Sequence, residues 1–204
     1  MKISFRILAL VFAAMLESCA VSPRLLEQTS SARSSIPATN VLIVVDGKAF
    51  GNPPFGPGGH AYMDAMGFAL QEGLTGLPVH VVTIDPMQLE NPEMKALNEI
   101  HPNYVLRLRT LSVISRNAVP ITAVWQLDAS EVSTTASRLP GQPQLTRTQF
   151  NFRAVYRARA QGPTCSGSLL GSEDSARRCG GAMGKVFADA LLDAQVFTPR
   201  QTPQ

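Results

Sequence analysis

Five consecutive apolar residues, Val41-Leu42-Ile43-Val44-Val45, limit the fold of this chain more than any other stretch. A run with no polar alternation must be buried on both faces, which is the environment of an inner strand in a sheet covered above and below. Asp46-Gly47 then ends it with a turn pair. The expectation is a central strand, with helices packed on one or both faces of the sheet.

The following residues supply those helices. Phe50 to Gly59 holds three Pro and four Gly, so it reads as a loop. From His60 to Glu72 the period becomes helical, with Met63, Met66, Gly67, Leu70 and Leu74 on one face and Gly73 and Gly76 as stop signals. Val79 to Ile84 is a second apolar strand, closed by Asp85-Pro86. Asn91-Pro92-Glu93 offers an N-cap, a proline at the first helical position and an acidic first turn, and the helix it starts ends before His101-Pro102. The first half thus reads β-α-β-α, and its strand-helix-strand unit implies parallel pairing.

The second half alternates. Tyr104 to Ser115 sets Leu106 and Leu108 inward with Arg107 and Arg109 outward. Ile121 to Val132 sets Ala123, Trp125, Leu127 and Ala129 against Val124, Gln126 and Asp128. In Gln149 to Arg159, Phe150, Phe152, Ala154, Tyr156 and Ala158 take one face and Asn151, Arg153, Val155, Arg157 and Arg159 the other. Strands of this pattern joined by turns are antiparallel, with one face on the core and one in water or against a partner. Ser133 to Thr148, rich in Pro, Gly, Ser and Thr, reads as a long connection, of a length that is usually functional or mobile. A last helix is expected from about Ala182 to Phe197, with Met183, Phe187, Ala190, Leu191 and Ala194 inward. The fold class is therefore α/β (α+β), a mixed sheet in the order β-α-β-α-β-β-β-α.

The amino-terminal residues say where such a domain works. Lys2 and Arg6 precede an apolar core, Ile7 to Met15, too short to span a bilayer as a helix, which is the pattern of an export signal. Leu16-Glu17-Ser18-Cys19 resembles the bacterial lipobox, and the resemblance implies lipid attachment at Cys19. Glu17 stands where that pattern prefers a small or uncharged residue. Ser18-Cys19-Ala20 also fits an ordinary small-x-small cleavage site, which would release a soluble protein beginning at Val21. The lipoprotein resemblance, with Ala20 after the cysteine, implies anchoring at the periplasmic face of the outer membrane. Residues 1–18 are then a signal peptide, 19–39 a lipidated, Ser-rich flexible tether, 40–198 one periplasmic domain and 199–204 a tail.

Cysteine and charge agree with export. With Cys19 acylated, Cys165 and Cys179 are left, and in an oxidising compartment they are expected to form a disulfide. Thirteen intervening residues exclude a C-x-x-C redox site. Lys plus Arg number 18 against 15 Asp plus Glu; without Lys2, Arg6 and Glu17 the balance is 16 to 14, a net +2. That excludes a polybasic nucleic-acid binder.

Catalytic and cofactor patterns are sparse. Gly180-Gly181-Ala182-Met183-Gly184-Lys185-Val186 is an imperfect phosphate loop, with Cys179 in place of the first Gly and Val186 in place of the magnesium-binding hydroxyl, and reads as a helix start. His60, His80 and His101 have no metal-binding spacing. No cofactor and no metal are expected. Two candidate sites are left. Asp46 and Asp85, at the carboxyl ends of the two parallel strands, with Gly58 and Gly59 before a helix, outline a ligand crevice of the kind open α/β sheets use. Arg107, Arg109, Arg153, Arg157 and Arg159 outline a partner surface on the wet face of the sheet, where arginine is favoured.

At the level of architecture the element order resembles small periplasmic domains such as the lipoprotein activators of penicillin-binding proteins and the amino-terminal domain of TolB proteins. The resemblance covers about Val41 to Phe197 and implies a non-enzymatic accessory module that binds a protein partner in the cell envelope. The alternative is a small-ligand binder or enzyme using the aspartate crevice.

Overall fold

A computed structural model describes residues 22–30, 36–47, 56–84, 91–116, 119–139, 142–165 and 173–197. In chain order the elements are β1 (Arg24–Ser30), β2 (Val41–Asp46), α1 (Gly56–Gly73), β3 (Val79–Ile84), α2 (Pro92–Ile100), β4 (Tyr104–Arg116), β5 (Val119–Leu139), β6 (Gln142–Pro163) and α3 (Glu173–Asp193). The six strands form one mixed sheet in the order β1-β6-β5-β4-β2-β3. No described helix is long and apolar enough to cross a membrane.

The apolar run behaves as its composition requires. Val41 to Val45 are fully buried, and β2 pairs in parallel with β3 on one side and β4 on the other. Its two faces serve two cores. Ile43 and Val45 join the larger one with α1 and α3; Leu42 and Val44 join a smaller one with Ala96 and Leu97 of α2. The Asn91 cap forms as expected: its side chain accepts from the Met94 amide, and His101, in the left-handed region at φ 49°, closes the other end by donating to the Leu97 carbonyl.

The larger core is closed by helix on helix. Gly180 and Gly184 of α3 face α1 so closely that a Cβ would lie 2.0 Å from the Tyr62 carbonyl oxygen and 2.2 Å from that of Met66. One turn further, a Cβ on Gly73 would meet that of Ala188 at 2.3 Å. Glycine in a helix interior costs about 1 kcal/mol relative to alanine. Here it lets two backbones approach and bury Met63, Met66, Leu70, Met183, Phe187 and Leu191 between them and the sheet.

Several sequence expectations change. α1 begins at Gly56 and α3 at Glu173, so the glycines taken for a loop and for a helix start lie inside helices. Arg24–Ser30, expected within the flexible tether, is an edge strand paired antiparallel with β6. Ser133 to Thr148 is not a structureless connection. β5 reaches Leu139 and β6 starts at Gln142, and beyond Glu131 β5 pairs with β6 alone among the described strands. Eight residues of β5 therefore project as a two-stranded arm roughly 25 Å long. Its serines and threonines favour extended pairing. Cys165 and Cys179 form the expected disulfide, tying the end of β6 to α3.

Candidate functional site

The sheet has two unlike faces. α1 and α3 cover one of them. On the other, α2 packs over β2 and β3 in a small core that also takes in Val105 of β4, and no described helix packs over β4 beyond Arg107 or over β5, β6 and β1 there. Alternation delivers the polar residues of these strands to that open face, and the antiparallel register aligns them in two rows. Arg107 lies opposite Asp128, Asp128 opposite Arg157 and Arg157 opposite Thr29. Arg109 lies opposite Gln126, Gln126 opposite Arg159 and Arg159 opposite Glu27.

The rows are joined by charge-assisted hydrogen bonds. Arg157 Nε donates to Asp128 Oδ1 at 2.6 Å, and an Arg109 terminal nitrogen lies 3.3 Å from Asp128 Oδ2. The buried Gln126 amide donates to both oxygens of the same carboxylate, at 3.0 and 2.8 Å, while its own oxygen accepts from Arg159 Nε at 3.0 Å. Arg159 also pairs with Glu27 at 2.9 Å. Arg107 turns the other way, to Glu93 of α2, with its guanidinium 5.7 Å from the Phe152 ring centre at the base of the arm. Four guanidiniums thus meet three carboxylates, and the excess falls at Asp128, which serves two of them.

Of the five predicted arginines, Arg107, Arg109, Arg157 and Arg159 come together and Arg153 does not. A β-bulge lies between the pairs Ala129–Tyr156 and Ser130–Ala154, with Val155 as the extra residue. One added residue reverses the faces of all that precede it in β6. Phe150, Phe152 and Ala154 therefore do not share a face with Tyr156 and Ala158. Val155 is buried with Tyr156, and Arg153 is on the helix-bearing side, where it pairs with Glu131, a carboxylate that also accepts from the Tyr104 hydroxyl.

Only part of the proposed crevice falls within the described residues. Gly58 and Gly59 belong to the first turns of α1, with Gly59 buried, and Gly47 beside Asp46 lies so close to α1 that a Cβ there would meet Met63 Sδ at 2.5 Å. Asp46 is the last residue of β2, opposite Ile84 and Arg109 in register. Asp85, and Cys19, the residue expected to carry lipid, lie outside the described residues. Among the described residues no group of three His, Cys, Asp or Glu is placed to hold a metal. A groove of about 570 Å³ lies between α1, β3 and α3, lined by Asp64, Phe68, Glu72, Thr83 and Arg177, and Thr83 donates to Asp64 at 3.0 Å.

Two tyrosines titrate abnormally, both on the covered side. Burial pushes the Tyr62 hydroxyl well above its ordinary value. Burial, and then the Asp193 carboxylate, push Tyr156 up to about 12, with its hydroxyl donating to Gln28 Oε1 at 2.8 Å. Both are neutral packing residues at physiological pH.

Sequence reasoning placed the arginines and Asp128 outward but missed Gln126, Glu27 and Glu93 as their partners. The i, i+2 spacing of Gln126 and Asp128 carries the first signal. Glu27 and Glu93 depend on where β1 and α2 dock, which no local pattern specifies.

No family model matches the chain, and no curated protein matches it. Among solved structures, two of PelC from Paraburkholderia phytofirmans, both dodecamers, are similar to it. A single-substitution variant is 14% identical with a TM-score of 0.42, covering 82% of this chain and 98% of that one. A second crystal form is 12% identical with a TM-score of 0.44, covering 81% and 97%.

Proposed function

We propose that this protein is a non-catalytic binding module, held at the periplasmic face of the outer membrane by lipid on Cys19, which docks another cell-envelope component on the open sheet face. The observation that carries the reading is the shared carboxylate. Arg109 and Arg157 both lean on Asp128, each about half exposed, on the part of the face that no described helix covers. Exposed ion pairs contribute about 0–1 kcal/mol each, so stability does not account for four arginines in two aligned rows. A carboxylate-bearing partner surface would give the surplus guanidinium a bidentate acceptor. Beside this face, the arm adds a strand edge with no partner among the described strands.

The test is a photoreactive residue at Thr29 or Ser130, on strands flanking the arginines, in the full chain within intact envelopes. A discrete adduct from these sites, absent when the group is placed at exposed Glu72 of α1, is the expected result. Equal or no adducts from both regions would refute docking on this face. Replacing Asp46 and Asp85 by Ala is expected to leave the adduct unchanged.

A further inference from the structure

The described chain begins at Ser22, and the register fixes which end of the sheet that is. Arg24 lies opposite Gln161, Gln161 opposite Val124, and Val124 opposite Ser112, so the start of β1 shares an end with the close of β4 and the start of β5. That end is apolar on its outside. Leu25, Leu26, Leu111, Ile114 and Ile121 are 37–52% exposed and make up five of the nine exposed large apolar side chains among the described residues. Ile121, Pro23, Pro163, Ala182 and the Cys165–Cys179 bridge also line a largely apolar groove of about 560 Å³ there, beside Arg178. The opposite end is the arm, where Ser133, Thr134, Thr135, Gln149 and Asn151 are exposed.

Cys19 precedes Ser22 by three residues, and three residues span at most about 11 Å. An acyl group on Cys19 therefore enters the bilayer within that distance of the apolar end. We propose that this end of the sheet rests on the bilayer surface, with Ile114, Ile121 and Leu111 entering the boundary between headgroups and acyl chains. Arg24 and Arg178 face anionic headgroups there, and the arm points away from the membrane. The inference rests on the reading of Cys19 as the lipid site, and adds to it a fixed orientation: the arginine face stands along the membrane normal, open to partners from the side.

The experiment uses the full-length protein extracted from membranes and reconstituted into phosphatidylethanolamine–phosphatidylglycerol vesicles. A polarity-sensitive fluorophore is placed on Ile114→Cys, Ile121→Cys or Thr135→Cys, and intact mass on the same samples reads acylation of Cys19 separately. Blue-shifted emission and loss of iodide quenching at positions 114 and 121, with neither at 135, is the expected result. Water-like emission at all three positions on acylated protein would overturn the contact and leave the anchor standing. If the masses carry no acyl groups, the anchor reading fails. In that case, blue-shifted labels at 114 and 121 on added vesicles would still uphold the membrane contact, and water-like labels would overturn it as well.

Discussion

The two faces of one sheet are made by the same strands and differ in kind. On the helix-covered face, Trp125, Leu127 and Ala129 form an unbroken hydrophobic row and are fully buried, and α1 and α3 close over them by fitting shape to shape at Gly180 and Gly184. On the open face, Gln126 and Asp128 of the same strand sit in a lattice of arginines about half exposed to solvent. Residues one position apart thus serve opposite ends. The first face resists any change of volume, and the second tolerates change at little cost to stability, which is what a surface kept for binding requires.

The sharpest way to break this contrast is to empty the covered side. Phe187→Ala removes a fully buried ring from the α3 packing and is expected to cost about 3–5 kcal/mol in urea unfolding. A loss below about 1 kcal/mol would mean that the two helices do not pack as described. Gly180→Ala comes next. Helix propensity favours alanine by about 1 kcal/mol, but the new Cβ would strike a backbone carbonyl that cannot swing aside, so a net loss of about 1–3 kcal/mol is expected.

Smaller still is a pH effect confined to the covered face. Tyr62 has its folded pKa raised above the ordinary 10.0 by burial. Its neutral form is favoured by folding, so its contribution is complete below pH 10 and declines as pH rises through the alkaline range. Tyr62→Phe should give a shallower fall of melting temperature above pH 10 than the parent protein, and parallel curves would remove the assignment. At the bottom of the scale, Arg109→Ala on the open face should change stability by no more than about 0.5 kcal/mol. A cost near that of Gly180→Ala would erase the distinction between the faces.

Much of the covered side was legible in the sequence because burial writes itself as period. The run Val41 to Val45, the Asn91-Pro92 cap and the alternation through Leu106, Leu108, Trp125 and Leu127 each predicted the observed placement. What stayed hidden was decided by tertiary contact. Gly180 looks like a breaker until a second helix needs the room. Arg24 to Ser30, exposed along its whole length, is a strand because β6 offers it an edge. The bulge at Val155 hides inside an unbroken alternation from Phe150 to Ala158, and it alone removes Arg153 from the arginine surface. The arginine face was therefore legible as four outward side chains, but not as a network with one shared carboxylate.

The account's central claim is that the open face is built to bind and contributes little to folding. Its most direct test is the double charge reversal Arg109→Glu with Arg157→Glu, read by melting temperature and by photo-adduct formation from Thr29 in the same envelopes. The account predicts that the adduct is lost while the melting temperature stays within a few degrees of the parent's. An adduct that survives the reversal, or one lost only because the protein unfolds, would contradict it.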